Sequence, residues 1–175
     1  DIASAFGIRD DDRGDPLEPD WNVAPTKVVP AVVAREGRPC LVQLRWGLVP
    51  GWAKDPGDAA RMINARLETA ATKPAFRDAL QSRRCLLPAD GYFEWYPTQV
   101  KGTSGRPLKQ PFFIRPADGG VLAMAGLYEI WRDPDRAEDD PDRFRWTCTV
   151  LTTEAEDAVG HIHDRMPLMV ERERW

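Results

Sequence analysis

The chain predicts an α+β domain: a largely antiparallel, barrel-like β-sheet core flanked by short helices. Apolar and aromatic runs recur at hairpin spacing, enough for seven or eight strands, and the helical patterns between them are brief. A length of 175 residues, 42% hydrophobic and 30% charged, supports one sizeable core and leaves little room for two. No internal repeat is present. No apolar run approaches a membrane span, and Asp1-Ile2-Ala3-Ser4 lacks a basic segment followed by an apolar one. With neither anchor nor signal peptide evident, the cytoplasm is the default expectation.

The first element, Asp1 to Ile8, reads as the tail of an amphipathic helix with Ile2, Ala5 and Phe6 on one side. It begins abruptly, without an N-cap residue before it and without an initiator Met. The expectation is one domain over 1–175 that lacks a short N-terminal segment and the C-terminal end. Val28 to Ala34 and Leu41 to Trp46, joined by Glu36-Gly37-Arg38-Pro39, make a hairpin. Gly47 to Asp58 is a loop, and Trp46 and Trp52 flank its Gly-Leu-Val-Pro-Gly; rings so placed are more often pinned to a core than offered to a ligand. Met62 to Arg66 is extended and puts Asn64 and Arg66 on one face. Pro74 precedes a helix over Ala75 to Gln81 with Phe76, Ala79 and Leu80 as its stripe.

Arg84 to Leu87 opens a strand that meets the turn residues Pro88, Asp90 and Gly91 before Tyr92-Phe93-Glu94-Trp95-Tyr96. Gln99 to Pro107 reads as a flexible hairpin loop, with Pro111 to Arg115 returning. Val121 to Trp131 and Phe144 to Thr152 are long strands. Thr153-Glu154-Ala155-Glu156 has capping-box spacing and predicts a short helix. Met166 to Val170 precedes the opening of a last helix at Glu171 to Trp175.

A net charge of −4 argues against a nucleic-acid partner until its distribution is considered. Asp10 to Asp20 holds six acidic residues and one basic, and Arg132 to Arg143 holds six and three. These Asp-rich, Pro/Gly-containing segments read as solvated loops carrying −8 together, which leaves +4 for the rest and room for a basic surface. Cys40, Cys85 and Cys148 are odd in number, have no Cys-x-x-Cys spacing and sit in apolar contexts, as reduced core residues do.

Three polar centres stand out. Glu94 is the carboxylate inside an aromatic run, and alternation puts it with Tyr92 and Tyr96, opposite Phe93 and Trp95. Partial desolvation there raises a carboxyl pKa toward the range useful for proton transfer, although a structural ion pair with an arginine fits the same residue. His161 and His163, the two histidines, precede Asp164 and Arg165; without a clustered third ligand they make metal binding weak, and a proton-shuttling role stands beside a solvated turn. Asn64 with Arg66 is the third, where Arg66 and Arg165 could each hold a phosphate or serve as surface charges. Neither a zinc spacing, a P-loop, a Gly-x-Gly-x-x-Gly nor a nucleophile elbow occurs.

Asn64-Ala65-Arg66 with Glu68-Thr69, the block from Arg84 to Trp95, and His163-Asp164-Arg165-Met166-Pro167 together resemble the SOS response-associated peptidase (SRAP) family. So do Asn22 to Thr26, Trp46 to Pro50 with Trp52-Ala53-Lys54, Ala125 to Glu129, and Thr149 to Thr153. The resemblance runs through most of the chain in the family's order. It implies a protein of the DNA damage response that binds single-stranded DNA and joins covalently to abasic sites, shielding them from strand cleavage. It implies Asn64 orienting nucleophile and sugar, Glu94 as acid/base, and His163 as proton donor to the opening sugar. Arg66 and Arg165 would hold phosphates, and Thr152 or Thr153 would assist; separately, loop placement suggests that Trp46 or Trp52 stacks on a base or wedges at a strand junction. The implied enzyme is an abasic-site crosslinker with autoproteolytic, peptidase- or lyase-like activity. It needs no cofactor and no metal, meets no membrane and acts as a monomer, associated with the nucleoid when bound to DNA. One departure concerns the family's nucleophile, a cysteine after the initiator Met, which nothing in Asp1 to Ile8 matches. A chain without it would be a non-covalent single-strand binding module. A peptidase confined to self-processing is the other alternative.

Overall fold

Strands β1 (Val28–Arg35) and β2 (Arg38–Trp46) pair antiparallel from Val28↔Arg45 to Arg35↔Arg38. Their two-residue connection holds Glu36 at φ 50° and Gly37 at φ 76°, the paired positive dihedrals whose twist matches that of the strands they join. This is the hairpin that alternation predicts. The computed structural model describes residues 1–15, 17–57, 59–156 and 160–175.

Three more strands complete a barrel: β4 (Arg84–Ala89), β7 (Leu122–Arg132) and β8 (Phe144–Glu154). The order β2-β1-β4-β7-β8 is antiparallel throughout and closes through a parallel pairing of β2 with β8 at Arg45↔Thr147 and Trp46↔Cys148. Closure removes the exposed edges that an open sheet would leave. Two short strands, β3 (Asn64–Arg66) and β9 (Arg165–Pro167), continue the pairing of β8 beyond the barrel. The expected fold class is therefore the observed one, with parallel pairing confined to β8 against β2 and β3. The remaining strands, β5 (Tyr92–Lys101) and β6 (Pro107–Ile114), form a separate two-stranded hairpin.

Alternation along the barrel strands supplies two cores. Ala31, Val33, Leu44, Leu87 and Val150 fill the interior with the three cysteines. On the outside, α2 (Leu67–Ala70) and α3 (Arg77–Ser82) bring Ala70 and Ala79 with Phe76 onto Leu48, Ala65, Leu127 and Leu151. A third cluster joins α1 (Ile2–Ala5) to Val32 and Ala123, and Phe6 stacks on Trp175 at 4.2 Å between ring centroids.

Several expectations change. Asp1 itself caps α1, its carboxylate accepting from the Ala3 amide at 3.0 Å. The helix after Pro74 starts at Arg77, two residues late. The loop at the hairpin tip shrinks, because β5 runs to Lys101 and β6 resumes at Pro107. Thr153 and Glu154 belong to β8, paired with Met166 and Arg165: sheet pairing overrides the capping-box signal, while 157–159 lie outside the described residues. At the chain's end the expected helix is a single 3-10 turn, Arg172–Arg174. The second acidic segment is also less solvated than its composition implies. Asp133 is buried, accepting from Arg145 at 2.6 Å, and Arg143 is buried as well.

Gly126 sits where β4, β7 and β8 meet. A Cβ there would lie 2.9 Å from both Cys85 Sγ and Leu87 Cδ1 and 3.1 Å from the Thr149 carbonyl oxygen, a backbone atom held in the β7–β8 ladder. Gly126→Ala is expected to cost about 1–3 kcal/mol through overpacking, read as a lower urea midpoint at unchanged m.

Candidate functional site

β8 gathers the site. Its last residues pair on one edge with β3, where Asn64↔Val150, Ala65↔Leu151 and Arg66↔Thr152, and on the other with β9, where Thr152↔Pro167, Thr153↔Met166 and Glu154↔Arg165. Ala65 is buried in the outer core, so alternation turns Asn64 and Arg66 outward, and both are exposed. The Arg66 side chain has neither a hydrogen bond nor an ion pair among the described residues; its carbonyl accepts from Thr69 Oγ1 at 3.5 Å.

Arg165 is committed elsewhere. Its guanidinium forks onto Glu68 of α2 at 2.8 and 3.0 Å and also donates to the Thr152 carbonyl at 2.7 Å and to Thr152 Oγ1 at 3.2 Å. The arginine thus ties α2, β8 and β9 together. It holds the Glu68 carboxyl down at about 2, chiefly through the side-chain hydrogen bonds. Glu68 is a residue for which the sequence offered no role; its partner lies 97 positions away.

His163 stands in the turn before β9, half exposed. Its Nδ1 lies 3.0 Å from the Arg165 amide nitrogen. That amide can only donate, so a neutral ring that carries its proton on Nε2 accepts there, whereas one that carries it on Nδ1 donates to the Arg165 carbonyl. Protonated, Nδ1 can donate instead to the Arg165 carbonyl at 3.0 Å, with Asp164 Oδ1 at 3.3 Å. His161 is exposed on the same turn, and among the described residues no group of three His, Cys, Asp or Glu is placed to hold a metal ion.

Glu94 comes from β5, on the face shared with Tyr92. Both are half-buried, whereas Phe93 and Trp95 are exposed, so the polar face of this strand is the inward one. Desolvation pushes the Glu94 carboxyl above its ordinary range, while protonated His163 and the Trp95 backbone amide pull it back. The structure thereby couples Glu94 to His163, two segments that the sequence sets far apart. The Tyr92 hydroxyl is enclosed and has no hydrogen-bond partner among the described residues.

The remaining residues separate. Trp46 donates from Nε1 to the Ile63 carbonyl at 2.8 Å and is partly buried against the barrel core. Trp52 is 66% exposed. Trp21, which no sequence pattern singled out, is 80% exposed, and nearby in sequence Lys27 is held by Asp20 at 2.6 Å. Thr152 is buried and serves Arg165, and Thr153 is half-buried on the opposite face of β8.

The thiols settle one expectation. Cys40, Cys85 and Cys148 are free and no more than 6% exposed. Burial raises all three, Cys85 well above the ordinary thiol value and Cys148 to about 12. They point into the barrel interior, away from Asn64 and His163 on its rim. The expectation of a crosslinking, self-processing enzyme is therefore corrected: this chain presents no thiol nucleophile to the site.

The clasp and the coupled pair each have a measurable consequence. The Glu68 value in the fold lies below the ordinary 4.5, so its contribution is present above 4.5 and lost as pH falls toward about 2. Glu68→Gln should melt below the wild type near neutrality, with the gap shrinking through that acid window in circular-dichroism melts. For Glu94, protonated His163 lowers the pKa, so His163→Ala should move the carboxyl titration further upward by carbon-13 NMR. An unchanged titration would mean that the two groups do not interact.

Comparison with known proteins places this architecture. The family model described as SOS response associated peptidase (SRAP) matches residues 1–175. The chain is 38% identical over 170 residues to the abasic site processing protein YoqW of Bacillus subtilis, covering 97% of this chain and 70% of that one. It is 36% identical over 173 residues to the abasic site processing protein YedK of Escherichia coli, with the same coverage. A crystal structure of a protein from Bacteroides thetaiotaomicron superposes with a TM-score of 0.70 at 29% identity, over 85% of this chain. The present chain spans 60% of the length of that structure. A phage-related protein from Bordetella bronchiseptica gives a TM-score of 0.65 at 25% identity, over 99% of this chain and 73% of its own. With the whole sequence matched and the barrel shared, the chain belongs to the SOS response associated peptidase (SRAP) family.

Proposed function

We propose that this chain binds single-stranded DNA at abasic sites without forming a covalent bond to it. The observation that supports the reading is that exposed Asn64 and Arg66 on β3 flank one edge of β8, while β9, entered just after His163, flanks the other, and His163 acts electrostatically on Glu94. Relatives named as abasic site processing proteins support the choice of ligand.

In this reading an abasic nucleotide, lacking a base, leaves room for polar side chains to reach its sugar. The Asn64 amide can both donate to and accept from sugar hydroxyls. Glu94, with its raised pKa, and the exposed His163 ring hydrogen-bond the ring or open-chain oxygen. Arg165 is occupied by Glu68 and Thr152, so Arg66 is the cation left for a flanking phosphate. The exposed Trp52 ring offers a stacking face to a neighbouring base.

The test is fluorescence anisotropy with a single-stranded oligonucleotide carrying one tetrahydrofuran analogue, which cannot open to an aldehyde. Reversible, salt-sensitive binding that exceeds binding to the intact strand is expected. Arg66→Ala should lower the slope of log affinity against log salt by about 0.7, the loss of one single-strand phosphate contact. Equal affinity for abasic and intact strands overturns the reading.

A further inference from the structure

The β5–β6 hairpin carries a pattern that the candidate site does not use. From Trp95 to Ala117 the chain holds four basic residues, Lys101, Arg106, Lys109 and Arg115, and no acidic one. This +4 equals the whole excess left after the two acidic segments. All four are exposed, and none forms an ion pair among the described residues.

Register sorts the side chains. Phe93 pairs with Phe113, Trp95 with Pro111 and Pro97 with Lys109, so these share the face opposite Glu94, and Arg115 follows at the same spacing just past β6. On that face Phe93, Trp95 and Phe113 are 40%, 48% and 50% exposed. They touch one another, with Phe93 at 5.0 Å from Phe113 and 6.2 Å from Trp95 between centroids. A monomer gains nothing from presenting three contiguous rings to water. Aromatic rings bracketed by unpaired cations are instead the surface on which single-stranded nucleic acid lies, bases on the rings and phosphates on the cations.

We infer that the outward face of the β5–β6 hairpin, its rings Phe93, Trp95 and Phe113 between Lys109 and Arg115, is a second docking surface for the single-stranded DNA that flanks the abasic nucleotide. Charge complementarity selects this occupant, since the hairpin is cationic on a chain that is anionic overall. Continuity supports it too: Glu94 lies on the other face of the same strand, so DNA leaving the site passes along the hairpin. The inference rests on the binding function proposed above and extends it by several nucleotides.

The test compares abasic oligonucleotides of about 5 and about 20 nucleotides, a span bracketing the footprint of one binding module. The double variant Lys109→Gln/Arg115→Gln is expected to bind the short one like the wild type. On the long one it should lose about tenfold in affinity, and its salt slope should fall by about 1.4 for two phosphates. Phe113→Ala should also weaken only the long complex, by about tenfold. If the wild type binds neither oligonucleotide, the functional proposal fails. If it binds both and the variants bind the long one with unchanged affinity and slope, the hairpin inference alone is overturned. A wild-type dimer in sedimentation that Phe113→Ala dissolves, with long-strand affinity unchanged, overturns it as well.

Discussion

The backbone hydrogen-bonding capacity of β8 is the constraint on which the rest of this structure depends. Each edge of that strand must be satisfied along eleven residues, and no single neighbour runs in register with all of it. On one edge β2 gives way to β3, with the Gly47 amide donating to Cys148 and the Val150 amide to Ile63 at the handover. On the other edge β7 gives way to β9, and the Leu168 amide donates to Leu151. The first relay closes the barrel. The second half of each relay brings Asn64, Arg66 and Arg165 to one rim, so the site follows from how a long strand is shared among its neighbours.

This explains what was legible in the chain. Period-2 alternation exposed the barrel strands and the polar face of Tyr92 and Glu94, because each strand's own residues decide which way they point. The Glu36-Gly37 turn was readable for the same local reason. Partnership across the fold was not. Glu68 looked like an ordinary helical acid, and only the packing of α2 against β8 delivers it to Arg165. Thr153 to Glu156 spelled a helix start, yet Thr153 and Glu154 became strand, since β9 offered ladder bonds that a helix nucleus could not match. The Ile63 carbonyl that accepts from the Trp46 indole was likewise not legible.

Electrostatic organisation follows the same division between body and appendage. Part of the acidic charge is structural: Asp133 is buried under Arg145, and Asp12 lies 3.6 Å from Arg38 on β2. The four cations of the hairpin form no ion pair among the described residues. Net charge alone described neither region, because two opposite populations cancel in the sum.

The burial of all three thiols has a practical corollary. A side chain that is both inaccessible and held in its neutral form reacts slowly with maleimides, oxidants and metal salts. The folded protein therefore supplies its own silent background. One cysteine introduced at an exposed position would be the sole reactive sulfur on the surface, and a fluorophore or spin label could be attached there without first stripping the barrel interior of its native residues.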